Sequence, residues 1–493
     1  MRLRISQTAQ RTSLSKRSSG LTRRRGTQTS VLHQRKYAKE KHSIQPGSYI
    51  DFVGRWQPSP SKGQSHELQV ENVLYQGNSN AEENPIQPKD TSYDFLRTIP
   101  HLRMRTSWQN LILRTRSHLT RAVSDYFEDV CSDPAVQVHP PLITSSDCEG
   151  AGEVFTVVPQ NGSIPPLKRT GAPGVRPEIQ HFFGEPKYLT VSSQLHLEAF
   201  SAELGNVWAL SPTFRAEQSD TVRHLAEFYM LEAEFRGTIA LSAVIDHAEA
   251  LIRYLAERLA NSRIGSEHMN SYAGAHTSRQ NPESRWARLI AGPWPRITYR
   301  DAIIELCDAQ AKGHDFAIRP GWDAGLALEH ERFLVANVFD NQPVIVTNYP
   351  EEQKPFYMSR GMDMLPGDVV DVAKGSTERV ETAACFDILL PDGYAEVCGG
   401  SLREHNLEKL LQKMRLRGML DQTNHSGEAG QYPGLLEGES LGPMKWYADL
   451  RRFGSSPHGG FGIGWDRLLA YLCCVANVRD VVAFPRAWGR ADC

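Results

Sequence analysis

Four short runs rich in β-branched and apolar residues, at 343–349, 382–390, 394–398 and 481–484, succeed one another without regular β-α-β alternation. Parallel strands need a long crossover between them, so this pattern predicts an α+β architecture in which an antiparallel sheet is flanked by helices. Two segments supply helices. Apolar residues recur at helical spacing over 109–130 through Ile112, Leu119, Val123, Tyr126 and Val130, and over 242–260 through Val244, Ala248, Leu251, Leu255 and Leu259. Between the second helix and the later β-rich runs, the polar stretch 261–285 reads as a surface insertion.

Before the first helix the pattern changes. Polar and apolar residues roughly alternate over 49–56 and 66–75, as in Glu67-Leu68-Gln69-Val70-Glu71, which predicts half-buried strands joined by a turn. Two strands cannot bury enough apolar surface to stand alone, so residues 43–78 read as part of a small β module. A polar, proline-containing linker over 79–108 separates it from a larger domain at 109–493.

Charge divides the chain differently. Residues 1–42 hold twelve Lys or Arg and one acid, Glu40, whereas the remaining 451 residues hold 43 basic and 56 acidic side chains, a net −13. The basic, Ser- and Thr-rich head has the composition of a mitochondrial transit peptide, which predicts a mitochondrial matrix protein; a cytoplasmic protein with a solvated tail is the other reading. An acidic body argues against non-specific nucleic-acid binding, and no DNA partner is expected. No stretch approaches the roughly 20 uncharged apolar residues that a bilayer span needs, so no membrane role is expected. The eight cysteines show no Cys-x-x-Cys spacing and suit structural burial in a reducing compartment.

Chemistry concentrates in a few places. Phe214-Arg215-Ala216-Glu217 and Arg223-His224-Leu225-Ala226-Glu227-Phe228 read as a strand, a charged loop and a returning strand. That arrangement would set Arg215, Arg223 and His224 around one polyanion and leave Phe228 free to stack on a base. Asp387 and Glu396 flank a turn, where a hairpin could bring both carboxylates to one face as hard oxygen ligands for Mg²⁺. By spacing alone each group has a plainer reading, as a solvated turn or as isolated surface acids.

The motifs decide between those readings. Phe214–Glu217 with Arg223–Phe228 resembles the second signature of the class II aminoacyl-tRNA synthetases, and Gly460-Phe461-Gly462-Ile463-Gly464-Trp465-Asp466-Arg467 resembles the third. The helix leading to Pro141 resembles the first, and similarity to the aspartyl, asparaginyl and lysyl subgroup extends from about residue 47 to 491. The resemblance implies an antiparallel catalytic sheet preceded by an OB-fold anticodon module, of which residues 49–75 resemble only the second half. It also implies a homodimer.

By resemblance, Arg215 grips the α-phosphate of ATP, Phe228 stacks on adenine and Arg467 meets the γ-phosphate. Glu217, Arg223, His224 and Leu225 lie around the nucleotide, and Asp387 and Glu396 hold Mg²⁺. Arg215, Arg467 and Glu396 are the residues expected to be catalytic. Carboxylate attack on the α-phosphate builds negative charge that fixed guanidinium groups stabilise.

For the amino acid, Glu149 resembles the carboxylate that receives the ammonium group, Gln194 its partner at the main-chain end, and Arg403 the guanidinium that reads the side-chain oxygen. Aspartate-specific members carry a lysine where this chain has Leu197 and an aspartate where it has Glu232, a pair of differences that favours asparagine. The implied reaction is ATP-dependent activation of asparagine followed by transfer to tRNA(Asn). An aspartyl-specific or non-discriminating synthetase, a silent RNA-binding paralogue and an ammonia-dependent asparagine-forming enzyme are the alternatives.

Overall fold

The computed structural model describes residues 2–6, 45, 47–60, 63, 65–87, 89, 91–145, 153–159, 181–273, 281–361, 381–422, 428 and 430–493. The chain divides into two compact units, one of residues 1–113 with Cys493 and the other of residues 114–492.

In the first unit three strands form an antiparallel sheet in the order β1 (Arg2–Ser6), β2 (Tyr49–Pro58) and β3 (His66–Gly77). The alternation in the sequence does produce β2 and β3, but burial along β3 is only partial, with Val70 and Tyr75 exposed. β1 is a departure from the sequence reading. Five residues of the basic head pair with β2, from Arg2 opposite Val53 to Ser6 opposite Tyr49. Backbone hydrogen bonding is indifferent to net charge, so a basic composition does not prevent a short strand from satisfying its amides on an open sheet edge.

The second unit is built on an eight-stranded sheet. Its strands in chain order are β4 (Val136–Gln137), β5 (Val207–Phe214), β6 (Glu227–Arg236), β7 (Arg296–Thr298), β8 (Val344–Thr347), β9 (Cys385–Leu390), β10 (Ala395–Leu402) and β11 (His458–Gly464). The spatial order is β4-β5-β6-β11-β10-β9-β8-β7. All inner pairs are antiparallel, and only the outermost strands β4 and β7 run parallel to their neighbours.

The helices follow the periodicity closely. After two short helices at Tyr93–Thr98 and Pro100–Arg103, inside the stretch read as a linker, α1 (Ser107–Asp125) buries Ile112, Leu119 and Val123 and then widens into a π-type turn at Tyr126–Val130. That widening moves Val130 off the apolar stripe, and it is half exposed. Next come α2 (Gln194–Leu204) and α3 (Leu241–Ala260), the latter burying all five apolar positions picked out by spacing.

Two regions of the second unit also differ from the sequence reading. Within the stretch expected to be a polar insertion, α4 (Arg263–Ala273) buries His268, and α5 (Pro282–Ile290) buries Arg285 and, just beyond it, Trp286. The polar composition misleads because the polar atoms are paired. Thr115 meets His268 at 2.8 Å, and Arg285 donates to Asp392 at 2.9 Å. At the other end, 481–484 is not a strand. Val478–Asp480 is a 3₁₀ turn, and the Val481 amide donates back to the Val478 carbonyl, so no ladder forms. Lys445–Arg452 (α6) and Trp465–Leu472 (α7) complete the elements that matter for the site.

A glycine-rich strand shapes the middle of this sheet. Gly460, Gly462 and Gly464 alternate along β11 and lie opposite Glu234, Glu232 and Met230 of β6. A Cβ on Gly460 would come 2.2 Å from both the Ala233 carbonyl oxygen and Glu234 Oε2. The absence of side chains leaves one sheet face open between two charged strands.

Candidate active site

Above that glycine face lies a cavity of about 390 Å³. β6 contributes Phe228, Met230, Glu232 and Glu234, which share a face because strand side chains alternate. The loop between β5 and β6 brings Arg215, Glu217, Arg223, His224 and Leu225 to the rim, and α7 presents Arg467 from its first turn. β9 and β10 add Asp387 and Glu396, Arg403 follows β10, and Gln194 opens α2. Every site residue expected from the sequence therefore lines one cavity, except Glu149, which lies outside the described residues.

Three arginines define one end. Arg215 sits with its guanidinium carbon 5.6 Å from the Phe228 ring centre and its Nη1 3.9 Å from Glu217 Oε1. Arg223 donates to the Glu396 carbonyl at 3.0 Å, and Arg467 approaches the same oxygen at 3.5 Å. Burial and the neighbouring Arg467 lower the Arg223 pKa, with Glu331 and Glu396 opposing. His224 accepts a hydrogen bond from, or donates one to, Thr221 Oγ1 at 2.5 Å and stands 3.6 Å from Glu217. Its pKa is lowered by burial and the surrounding arginines, with Glu217 opposing. Asp466 holds the start of α7 against β6 by accepting the Tyr229 amide at 2.8 Å and pairing with Arg116.

Asp387 and Glu396 share a face through a β-bulge. The pairing Asp387 with Gly399 shifts register after Ile388, so that Glu396 stands opposite Leu389. Without that extra residue Glu396 would point to the opposite face of the sheet from Asp387. A Cβ on Gly399 would lie 3.1 Å from Asp387 Oδ1 and 3.8 Å from Glu396 Oε1, so both carboxylates address the same space. Two hard oxygen donors facing the cavity fit Mg²⁺, which binds through few carboxylates and the phosphates of its substrate. Among the described residues no three His, Cys, Asp or Glu side chains converge as a complete metal cage.

The surroundings of this pair were not legible in the sequence. Lys354 donates to Asp387 at 2.7 Å, and Asp387 raises the lysine pKa despite the burial that opposes it. Burial pushes Asp387 itself upward, with Lys354 opposing. Glu331 accepts the Glu396 amide at 3.3 Å, and burial together with the charge of Glu396 pushes its carboxyl up to about 8. Glu331 belongs to no signature motif, and Lys354 opens a stretch, Lys354–Met358, that resembles the family without carrying an assigned role; closeness in space to Asp387 and Glu396 gives both their place.

At the opposite end Arg403 and Glu234 form a buried two-pronged ion pair, Nε to Oε1 at 3.0 Å and Nη2 to Oε2 at 3.0 Å, while Ser401 accepts from Nη1 at 2.6 Å. Glu234 stands two residues after Glu232 on one strand, a period-two relation that could have singled it out. Glu232 is held by the Ser193 amide at 3.0 Å and by the Ser192 hydroxyl, and burial raises its pKa against those bonds. Leu197 lines the cavity and also packs with Val138, Val207 and Ala209 in a core cluster.

The family model for tRNA synthetases class II (D, K and N) matches residues 92–488. The chain belongs to this class II tRNA synthetase family. Among its relatives, the mitochondrial asparagine–tRNA ligase of Saccharomyces cerevisiae is 36% identical over 444 residues, covering 87% of this chain and 80% of the relative. The asparagine–tRNA ligase of Desulfotalea psychrophila is 36% identical over 458 residues, covering 93% and 87%. Asparaginyl-tRNA synthetase from Pyrococcus horikoshii, solved with asparaginyl-adenylate, is 28% identical with a TM-score of 0.69, covering 91% and 84%.

In this synthetase the Arg403–Glu234 pair yields a stability prediction. Arg403→Leu strands a buried carboxylate, and the variant should lose about 3–5 kcal/mol in urea denaturation. A loss below about 1 kcal/mol would show that the pair is not buried and ionic in solution.

Proposed function

We propose that this synthetase is an asparagine–tRNA ligase that forms asparaginyl-adenylate and pyrophosphate from asparagine and ATP, then transfers asparagine to tRNA(Asn). The observation that carries the reading is the charge balance at the amino-acid end of the cavity. Arg403 is matched by Glu234, Glu232 remains as a carboxylate met only by hydroxyl and amide donors, and Leu197 supplies no cation. Such a pocket repels a substrate carboxylate and accepts an amide NH₂. Relatives named asparagine–tRNA ligases in yeast mitochondria and in bacteria support the same substrate.

For the chemistry, Arg215 takes the α-phosphate, Phe228 stacks on adenine, and Arg467 meets the γ-phosphate with Arg223 and His224 beside the outer phosphates. Glu217 and Leu225 border the nucleotide. These fixed groups hold ATP bent so that its α-phosphorus faces the asparagine carboxylate, whose attack expels pyrophosphate. Asp387 and Glu396 would hold Mg²⁺, which when bound supplies charge neutralisation at the outgoing phosphates. Glu149 receives the ammonium group of asparagine.

Pyrophosphate exchange tests both substrate and roles. Exchange should require asparagine, and Arg467→Ala and Glu396→Ala should each reduce it by about 10²-fold or more with the fold intact. Comparable exchange with aspartate would overturn the substrate, and variant rates within a few-fold of the parent would overturn the roles.

The family resemblance further supports a homodimer through α1 and the strand after it, where Val130 and Val136 are half exposed. Sedimentation at twice the mass of one chain is the expected result, and a monomer at micromolar concentration would refute it. We also propose a mitochondrial address carried by residues 1–42, supported by their twelve basic residues and by the mitochondrial relatives. A fluorescent reporter fused to residues 1–45 should enter mitochondria, and uniform cytosolic fluorescence would favour the cytoplasmic alternative.

A further inference from the structure

Glu198 belongs to no signature, yet it is buried and stands at the centre of a hydrogen-bonded group behind the cavity. Its Oε2 accepts from Arg451 Nη2 at 2.5 Å, the Tyr447 hydroxyl at 2.8 Å and His458 Nε2 at 3.0 Å. Its Oε1 accepts from Gln194 Nε2 at 3.1 Å. The two residues are four apart on α2 and therefore share a helix face.

We propose that Glu198 is a positioning residue that turns the carboxamide of Gln194 so that its oxygen faces the α-ammonium group of the amino-acid substrate. This rests on the reading of the cavity as an amino-acid-activating site. An ionised carboxylate only accepts hydrogen bonds, while a carboxamide donates from one end and accepts at the other. With Nε2 committed to Glu198, Oε1 is the amide atom left for the cavity that Gln194 lines. The reversed amide would set oxygen against oxygen in a buried place, where an unsatisfied polar atom is costly. Although burial opposes ionisation, Arg451 and His458 hold the Glu198 carboxyl well below the usual carboxylate range, so it has no proton to give.

The division of labour between the two oxygens separates this role from simple neutralisation of Arg451. Oε2 alone receives the donors from α6 and β11, and Oε1 is directed at Gln194. At the same helix end, the Gln194 amide donates to Ser192 Oγ at 3.1 Å, and that hydroxyl in turn bonds Glu232. The residue that meets the ammonium end and the residue that meets the side-chain amide are thus set by one frame.

The experiment begins with exchange by the parent enzyme. If asparagine does not support exchange, the functional reading fails, and the test proceeds with whichever amino acid does. Gln194→Glu places a second carboxylate against Glu198 and should raise the asparagine KM about tenfold or more, with the ATP KM within about twofold. The exchanged pair Gln194→Glu with Glu198→Gln again sets one donor against one acceptor, and should recover at least about threefold of that loss.

Succinamic acid, which is asparagine without its ammonium group, supplies a second readout. It should inhibit the parent and the Gln194→Glu variant equally within about twofold. If the exchanged pair does not fold, Gln194→Met takes its place and should weaken asparagine but not succinamic acid. A parental KM in Gln194→Glu, a folded exchanged pair no better than Gln194→Glu, or equal losses for asparagine and succinamic acid would each overturn the proposal.

Discussion

Strand β11 contributes almost no side-chain bulk to the cavity face, and the charged groups around it depend on that. Placed between β6 and β10, its alternating glycines open a floor on which Glu232, Glu234 and the residues of β10 can stand without steric conflict. A Cβ at Gly460 would collide with both backbone and the Glu234 carboxylate, so even alanine is excluded without movement of the sheet. The same open floor is what leaves room for the cavity.

Once charges are gathered on that floor, each needs compensation. Arg403 and Glu234 answer one another directly, and Lys354 answers Asp387. Burial pushes the Glu232 carboxyl upward, and the hydroxyl and amide donors that hold it, together with the charge of Arg403, oppose that push. Arg223 and Arg467 differ from these. They share one carbonyl oxygen, that of Glu396, a weaker partner than a buried carboxylate and one that an incoming polyphosphate can displace.

The hairpin that carries Asp387 and Glu396 is itself held from outside. Asp392, in the left-handed region at φ 60, accepts from Arg285 at 2.9 Å, Arg288 at 2.6 Å and Asn341 at 2.7 Å. Two of those donors come from α5, in or next to the stretch that reads as a polar surface insertion. Polar composition reports what side chains are made of, and only the fold shows that these meet one another rather than water.

By itself the sequence determined the sheet class, the two long amphipathic helices, the signatures and, Glu149 apart, the set of candidate residues that the cavity gathers. These are properties of local periodicity and of motifs whose residues sit close together along the chain. Tertiary structure decided the rest. The bulge after Ile388 turns Glu396 to the side of Asp387, Glu331 and Lys354 become neighbours of the site across long separations, and Glu198, close to Gln194 on α2, gathers Tyr447, Arg451 and His458 from far along the chain. The strand at 2–6 found a partner in β2, and the run at 481–484 spent its amide on a local turn. Register and pairing depend on which distant backbone offers a partner, and a linear pattern does not contain that information.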